Sequence, residues 1–409
     1  MYRIFTAAAA SLLLATTALA GDLVINFDDP NPAPKAGFEA AVEAFKKEHP
    51  DVNVTVNIND REAHKTAIRN FLSAEAPDIT AWYPGNRMAP FVEAGQFEDI
   101  SDLWASDPNL STSFEAIKPT MSMNGKQYGV PYSYYQWGIY YRPDVLSEAG
   151  VAEPPKTWDE LLASCGKLKE AGKTCFTIGT KALWPAAGMF DYLNLRTNGY
   201  EFHNDLTAGK VKYTDPKVRD VFEKWGELVT NDYIVDNHAT MDWQDALVPF
   251  AKGDAAMYVM GNFAVASMKD AGLTEEQIGF IPFPEITPGV PRAEEAPADA
   301  FFIPSNAKNK EDARKFLAFI ARPEIQAEWN KTIGQLPPNS KAEVADDKFI
   351  QAGAEMLAGA NGVAQFYDRD APAEMAKAGM EGFQEFMVKP DRLDDILKRL
   401  DKVQERVYK

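Results

Sequence analysis

The clearest indication of the fold class is a stretch near the N-terminus, DLVINFDDPNPAPKAGFEAAVEAFKKEHPDVNVTVNI, residues 22–58. Residues 22–27 are typical of a short strand, and the prolines and aspartates of residues 28–32 end it. Apolar residues then recur at helical spacing over residues 38–45, whereas residues 52–58 alternate between apolar and polar as a half-buried strand does. The stretch therefore predicts a strand, a helix and a second strand.

The same alternation continues further along the chain. Residues 61–73 predict a helix, and residues 77–82 predict a third strand. Consecutive strands that are joined through helices pair in parallel, because the crossover returns the chain to the same end of the sheet. The predicted fold class is therefore α/β, with a mainly parallel sheet flanked by helices.

Helix-start signals and a buried strand in the second half indicate more structure of this class. Thr157 and Glu160 have the spacing of a capping box, and Asp215 with Pro216 marks another helix start. Residues 255–260 are apolar throughout and predict a buried strand. The remaining predicted elements are a proline-rich extended connection at 281–297, a strand at 300–304, helices at 311–320 and 323–333, and mostly helix from 349 onward.

Length and composition bound the class of protein. A chain of 409 residues corresponds to roughly two or three domains. With 60 acidic and 42 basic residues the net charge is −18, which argues against a nucleic-acid-binding protein. The 2 cysteines are too few for a disulfide-framed fold or a structural zinc cluster.

Residues 1–20 have the pattern of a secretory signal peptide. Arg3 precedes an apolar run, and Ala18 and Ala20 stand at the spacing of a cleavage site. We expect cleavage before Gly21 and export to the periplasm, without a lipid anchor because no cysteine follows the cleavage point. A buried N-terminal helix is the alternative interpretation.

The two cysteines, Cys165 and Cys175, have a spacing that does not match the C-x-x-C redox motif. In an oxidising compartment they could form a disulfide that closes a short loop between a helix and a strand. Two buried free thiols are the alternative, because the sequence does not give the distance between the residues.

Common catalytic and phosphate-binding motifs are absent from the sequence. We find no G-x-S-x-G, H-E-x-x-H, P-loop or G-x-G-x-x-G pattern. Asp28 and Asp29 are adjacent at a strand end and should point apart, unlike the facing carboxylates of a glycosidase. We therefore expect a protein that is not an enzyme and that needs no cofactor and no metal. The histidines lie in polar segments and are expected at the solvated surface: His49, His64, His203 and His238.

Aromatic residues make up 11% of the chain, and many stand at predicted element ends. The densest run is residues 131–141, where one strand face would include Tyr135. Other rings lie beside Gly, Pro or polar residues rather than inside periodic runs: Trp82, Trp184, Trp243 and Phe263. Ligands of α/β sheets bind at the carboxyl ends of strands, and flat rings fit the apolar face of a sugar. These rings predict a carbohydrate site, with core packing as the alternative for each ring.

The order of these segments resembles the family 1 extracellular solute-binding proteins, the carbohydrate-binding subunits of ABC importers, and is similar to maltose-binding protein. The resemblance covers essentially all of the chain after the predicted signal peptide. The segments that carry it are residues 38–58, 77–82, 125–132, 140–144, 155–161, 250–257, 303–304 and 313–320.

The resemblance implies a type II periplasmic binding protein fold, in which two α/β lobes are joined by a hinge. The N-terminal lobe would comprise residues 21–130 and 298–341. The C-terminal lobe would comprise residues 131–297 and 342–409. The hinge crossings would lie near residues 130–131 and 298–299.

The resemblance also implies which residues bind the ligand between the lobes. Phe263 stands where family members often carry Trp, so it could stack but would lack an indole N–H. Asp299 stands where family members often have glycine and could reach the ligand directly. The expected ligand-binding residues are Asp28, Asp29, Trp82, Asn86, Arg87, Tyr135, Trp184, Asp242, Trp243, Asn262, Phe263, Asp299, Tyr367 and Arg369.

The function implied is a monomeric periplasmic protein that captures a sugar or glycoside and delivers it to an ABC permease by hinge closure. Arg87 or Arg369 would suit an anionic sugar. Two alternatives remain. The same fold could bind iron, a polyamine or a phosphate ester, or the chain could be a secreted carbohydrate-active enzyme, which would need two placed carboxyl groups.

Overall fold

The computed structural model describes residues 21–115 and 117–408, so the predicted signal peptide lies outside the described residues. No helix in this part of the chain combines the length and the apolar character that crossing a membrane requires. The strands are β1 (Gly21–Phe27), β2 (Val52–Ile58), β3 (Ile79–Trp82), β4 (Ser122–Met123), β5 (Lys126–Gln127), β6 (Gly129–Tyr134), β7 (Trp137–Tyr141), β8 (Thr174–Thr177), β9 (Ala255–Gly261), β10 (Gly279–Ile281), β11 (Ala293–Glu295), β12 (Ala298–Phe302) and β13 (Gly362–Ala364).

The α-helices in the same residues surround the sheets. They are α1 (Pro32–Glu48), α2 (Arg61–Ser73), α3 (Ala89–Glu93), α4 (Ser101–Ser106), α5 (Pro108–Ser113), α6 (Pro143–Glu148), α7 (Trp158–Glu170), α8 (Trp184–Asn198), α9 (Tyr200–Thr207), α10 (Pro216–Val229), α11 (Leu247–Lys252), α12 (Ala264–Asp270), α13 (Lys310–Ile320), α14 (Pro323–Ile333), α15 (Lys348–Ala358), α16 (Tyr367–Asp370), α17 (Ala373–Val388) and α18 (Leu393–Val407).

The first sheet has the strand order β2-β1-β3-β12-β6. Strand β1 pairs in parallel with β2 and β3, while β12 pairs antiparallel with both β3 and β6. Helices α1, α13 and α14 cover it, and their aromatic side chains form one continuous core with the strands. Phe27 stacks on Phe38 at 4.4 Å, and Tyr132 stacks on Trp329 at 4.9 Å between ring centres.

The second sheet has the order β10-β7-β9-β8, in which only the pair of β8 and β9 is parallel. A separate core surrounds this sheet and includes residues of α7, α8, α10, α17 and α18. The sequence predicts mainly parallel sheets, but both sheets have mixed pairing. In the first sheet β12 runs against β1, β2, β3 and β6, and in the second sheet β7 runs against β8, β9 and β10. Both reversed strands lie beside the points where the chain passes from one sheet to the other.

Local capping sets the helix starts that the sequence predicts. Thr157 and Glu160 form a capping box at the start of α7, as predicted. The Asp60 carboxylate accepts a hydrogen bond from the backbone N–H of Ala63 at 2.9 Å and fixes the start of α2. The Asp215 carboxylate accepts from the backbone N–H of Lys217 at the start of α10.

The predicted aromatic strand at residues 131–141 is divided between the two sheets. Strand β6 runs through Pro131 to Tyr134 in the first sheet, and β7 begins at Trp137 in the second. Tyr132 belongs to the first core, whereas Tyr135 belongs to the second. The chain therefore changes sheet at residues 135–136, beyond the expected crossing at residues 130–131.

The prediction that the histidines are solvated is wrong for His64, His203 and His238, which are buried. Each ring has a polar neighbour inside the protein. His64 Nε2 lies 3.0 Å from the Ala81 carbonyl, and His238 Nδ1 lies 2.8 Å from the Thr180 hydroxyl. The residues that surround these histidines in sequence are polar because they occupy the outer faces of the same elements, so sequence context misplaces the rings. His49 is half-buried.

A disulfide joins Cys165 on α7 to Cys175 on β8, with the two Cα atoms 5.0 Å apart. It closes the turn between this helix and the edge strand of the second sheet. Both cysteines are buried in the second core.

Candidate functional site

A cavity of about 460 Å³ lies between the two cores. Tyr83 of the first core and Trp137, Trp243 and Phe366 of the second core all contribute to its wall. The volume falls in the range that is usual for small-molecule sites. The two sides of the cavity differ in chemistry, one being charged and the other aromatic.

Strand ends position the charged side. Asp29, Asp60 and Tyr83 follow closely after β1, β2 and β3, which run in parallel, so these residues meet at one edge of the first sheet. Strand β12 is antiparallel to β3, with Ala300 opposite Trp82. Its first residues, Ala298 and Asp299, therefore reach the same edge.

Ion pairs connect the charged side chains to one another. Arg61 Nη2 lies 2.8 Å from Asp29 Oδ2, and Arg61 Nη1 lies 3.7 Å from Asp299 Oδ1. Arg369 of α16 approaches from the second core, and its Nη2 lies 3.0 Å from Asp299 Oδ1. Asp29, Arg61, Asp299 and Arg369 thus form one chain of alternating charges, which is called the charge network below.

Arg369 is held by neutral groups as well. Its guanidinium donates to the Ala298 carbonyl at 2.7 Å and to the Tyr135 hydroxyl at 3.0 Å. The same group lies 4.3 Å from the centre of the Tyr83 ring, a cation–π distance. These contacts fix the position of a long side chain that would otherwise be mobile.

A second ion pair joins α2 to α16 beside the charge network. Lys65 Nζ lies 3.3 Å from Asp368 Oδ2 and 3.1 Å from Glu62 Oε1. Burial raises the pKa of Asp368, but Lys65, Arg87 and Arg369 outweigh burial, so this pKa is below its ordinary value. Asp368 is therefore a carboxylate at neutral pH.

Burial and pairing compete in the charge network. Burial raises the pKa of Asp29, and the Asp28 charge adds to this, while Arg61 opposes both, so the net shift is upward. Burial lowers the pKa of Arg61, but the surrounding carboxylates and Tyr83 raise it well above the ordinary value. Burial likewise lowers the pKa of Arg369, and Tyr135 and Asp299 raise it more strongly. Both arginines keep their positive charge.

The aromatic side is built from six rings of the second core and its border, which pack mainly edge to face. Trp243 meets Phe263 at 5.3 Å and 86°, and Trp137 meets Trp184 at 5.9 Å and 89°. Trp184 and Phe263 are only half-buried. The rings are Tyr135, Trp137, Trp184, Trp243, Phe263 and Phe366.

Eight of the expected ligand-binding residues line this cavity. They come from both ends of the chain and from both sheets, so the fold brings together residues that are far apart in sequence. They are Asp29, Tyr135, Trp184, Asp242, Trp243, Phe263, Asp299 and Arg369.

Two expected residues on the first-core side lie behind the wall. Asp28 is buried, and its carboxylate accepts from the Tyr83 hydroxyl at 3.3 Å. Trp82 points into the core, where it packs edge to face on Phe91 at 5.4 Å. Its indole N–H donates to the Arg87 carbonyl at 3.1 Å.

The other four expected residues also lie off the wall. Asn86 donates to the backbone carbonyl of Asp370, and the Arg87 guanidinium lies 5.9 Å from the Trp82 ring. Asn262 accepts from the Tyr140 hydroxyl at 2.8 Å. Tyr367 is fully buried, where its hydroxyl contacts that of Tyr213.

Several residues of the cavity wall are not among the expected ligand-binding residues, although the sequence around some of them indicates their place. Arg61 directly follows the cap of a predicted helix at a strand end, which is the place where ligand contacts gather. Tyr83 follows Trp82, and neighbours on an extended chain face opposite ways, so a shift of one residue exchanges the two rings. Lys65 and Asp368 left no signal, because only the tertiary fold brings α2 and α16 together. The other missed wall residues include Asn31, Asp60, Glu62, Trp137, Gln244 and Gln335.

Within residues 21–115 and 117–408, no group of three or more His, Cys, Asp and Glu side chains is placed to hold a metal ion. The arrangement at the cavity is instead suited to holding a small molecule that has both hydroxyl groups and an apolar face.

Comparison with known proteins identifies the family. The sequence model of the bacterial extracellular solute-binding protein family matches residues 29–327 of this chain. An uncharacterized ABC transporter extracellular-binding protein of Pyrococcus horikoshii is 28% identical over 318 residues, which span 75% of this chain and 69% of that protein. The sn-glycerol-3-phosphate-binding periplasmic protein UgpB of Yersinia pestis is 22% identical over 330 residues, 74% of this chain and 71% of that protein.

Among solved structures, the bacterial solute receptor AcbH superposes with a TM-score of 0.86 at 28% identity, over 95% of this chain and 100% of that chain. Its structural description reports an exclusive substrate preference for β-D-galactopyranose. The chain belongs to the bacterial extracellular solute-binding protein family and has the type II periplasmic binding protein fold. It is the solute-binding protein of an ABC importer.

Proposed function

Because the chain is the solute-binding protein of an ABC importer, we propose that it captures a sugar or glycoside in the cavity between its two cores. It would release this ligand to the permease of the importer, in the periplasm, without any covalent chemistry. The observation that carries the proposal is the division of the cavity wall into a charged side and an aromatic side.

A pyranose ring has the matching division. Its axial C–H bonds form apolar faces, which fit the rings of Trp184, Trp243 and Phe263. Its hydroxyl groups both donate and accept, so they pair with carboxylates such as Asp29 and with guanidinium groups such as Arg61. A purely apolar ligand would make no hydrogen bond to the charged side, and an ion without an apolar face would make no contact with the rings.

The similarity to AcbH supports a sugar as ligand. At 28% identity over nearly the whole of both chains, the likeness includes sequence as well as fold. The residues of the cavity wall decide which sugar binds, and they are only a small part of the chain.

We further propose that the two cores are the two lobes of a hinged protein. The N-terminal lobe would comprise residues 21–134 and 298–341, because β6 keeps residues 131–134 in the first sheet. The C-terminal lobe would comprise residues 135–297 and 342–409. The hinge would then consist of the short connections at residues 135–136, between β6 and β7, and at residues 296–297, between β11 and β12.

Short helix α16 supplies contacts that would hold such lobes closed. Tyr367 is anchored in the second core, while the next two residues pair with side chains of helix α2 and strand β12, on the side of the first core. Asp368 pairs with Lys65, and Arg369 pairs with Asp299. Ligand that bridges the same two sides would shift the protein towards this closed form.

A panel of mono- and oligosaccharides tests the proposal through the melting temperature, because a ligand that binds only the folded state raises it. We expect at least one sugar to give a concentration-dependent rise. The Trp184→Ala variant should lose this rise, and the control Trp158→Phe, in the core of the second sheet, should keep it. No rise with any sugar would contradict the proposal, as would an unchanged rise in Trp184→Ala.

A further inference from the structure

Resting on the proposed function, we infer that the cavity is selective for charge: it accepts sugars without a negative charge and rejects sugar acids and sugar phosphates. The two arginines of the wall would at first suggest the opposite, since Arg is the usual partner of carboxylate and phosphate groups. Whether these arginines can bind an anion depends on whether carboxylates of the protein already pair with them.

Every cation of the cavity wall already has a carboxylate partner within the described residues. Arg61 pairs with Asp29 at 2.8 Å, and Arg369 pairs with Asp299 at 3.0 Å. Lys65 pairs with Asp368 at 3.3 Å and with Glu62 as well. An incoming anion would have to displace one of these carboxylates from its cation.

The internal carboxylates are fixed in place and cannot easily move aside. Asp29 accepts hydrogen bonds from the backbone N–H of Asn31 at 3.1 Å and from its side-chain amide at 2.7 Å. Asp299 is part of β12, which is paired on both sides in the first sheet. A displaced carboxylate would remain buried without its partner, which is unfavourable.

The balance of charge on the wall is also negative. The cations are Arg61, Lys65 and Arg369, three in number. The carboxylates are Asp29, Asp60, Glu62, Asp242, Asp299 and Asp368, six in number, so the balance is 3 − 6 = −3. If Asp29 is protonated, the balance is still −2, and the buried Asp28 stands behind the wall. A negatively charged ligand is therefore repelled by the wall.

A neutral sugar meets no such obstacle. A guanidinium group has five N–H donors, and the ion pairs described use only some of them. A carboxylate can accept from a sugar hydroxyl while it remains paired with its arginine. Hydroxyl groups can thus join the charge network without breaking it.

Calorimetric titration of the wild-type protein at pH 7.5 and 150 mM salt tests the inference. The probes are D-galactose with D-galacturonate, D-glucose with D-glucuronate, and sn-glycerol 3-phosphate. We expect heat from a neutral sugar and, for its acid, binding weaker by at least about a hundredfold. An acid or the phosphate that binds within tenfold of the best neutral probe, or that binds alone, overturns the inference and leaves a solute-binding function intact. If no probe and no sugar of the larger panel binds, the proposed function fails, and the inference fails with it.

Variants separate charge from shape. Asp299→Asn keeps the size of the side chain but releases Arg369 from its carboxylate, so galacturonate binding should improve at least about tenfold relative to galactose. Asp29→Asn releases Arg61 and provides a second test if the first variant does not fold. Asp102→Asn makes the same change in net charge outside the wall and should leave the ratio unchanged. If the affinity for galacturonate relative to that for galactose is the same in all three variants, the inference is overturned.

Discussion

Arg369 Nη2 lies 3.0 Å from Asp299 Oδ1, which joins a short helix anchored in the second core to a strand of the first sheet. The geometry is that of an ion pair rather than an aligned hydrogen bond. Both side chains are almost fully buried, 6% and 7% exposed. A charge pair at this position couples the two cores at the edge of the cavity.

Removing one partner of this pair should destabilise the protein, because the other charge stays buried and unpaired. For Arg369→Met we expect a loss of about 3 kcal/mol in the free energy of unfolding, measured by urea denaturation without ligand. The control Arg322→Met removes an exposed pair with Glu48 and should cost less than about 1 kcal/mol. Equal losses in both variants would show that the buried pair couples nothing.

The contact between Asn86 and helix α16 allows a test of lobe closure without touching the cavity wall. Asn86 donates to the Asp370 carbonyl and does not line the cavity. Asn86→Ala should favour the open form and weaken sugar affinity by about threefold to tenfold, with the charge selectivity unchanged. Calorimetry with the best neutral sugar measures the change. An affinity equal to that of the wild type would show that this contact of α16 does not help to hold the lobes closed.

His203 makes stability depend on pH. Burial lowers the pKa of His203 from 6.5 to about 4. Between these pH values the unfolded chain binds more protons than the folded chain, so stability falls as the pH falls from 6.5 towards 4. The loss attributable to this ring is about 3 kcal/mol at most.

His203→Gln removes the titrating group and keeps a polar contact for Asn194, which lies 3.2 Å from the ring. Urea denaturation at pH 7 and pH 4.5 should show a smaller loss in this variant than in the wild type. The half-buried His49 provides the control His49→Gln, whose loss should match that of the wild type. Identical losses in all three proteins would contradict the account of His203.

The disulfide between Cys165 and Cys175 gives a direct chemical prediction. A thiol assay under denaturing, non-reducing conditions should find no free thiol in protein exported to an oxidising compartment, and two after reduction. Replacing both cysteines by serine should lower the free energy of unfolding by about 2–3 kcal/mol, since the closed loop is short. Two thiols before reduction would show that the bond does not form.

Local elements of the fold follow from local sequence signals. Strand β2 and helices α2 and α14 begin and end where the periodicity and the caps predict. Strand order and direction do not follow, because β12 pairs with β3 and β6, which lie far earlier in the chain. The pairing of such distant segments can be predicted only from a resemblance to proteins of the same fold.

The candidate site shows the same limit at the level of single residues. Three of the rings expected at element ends, Trp184, Trp243 and Phe263, line the cavity. Trp82 has the same sequence context but points into the core, and its neighbour Tyr83 takes the place on the wall. The direction of a side chain at a strand end depends on register, which one sequence does not give.

We expect a neutral sugar to bind in the cavity against the ring of Trp184. Native mass spectrometry tests it most directly, with the wild-type and Trp184→Ala proteins each incubated with one equimolar mixture of neutral mono- and oligosaccharides. The expected result is a 1:1 complex with one sugar in the wild type and the loss of this complex in the variant. A wild type that carries no sugar, or a variant that carries the same sugar to the same extent, would show that no neutral sugar binds against this ring.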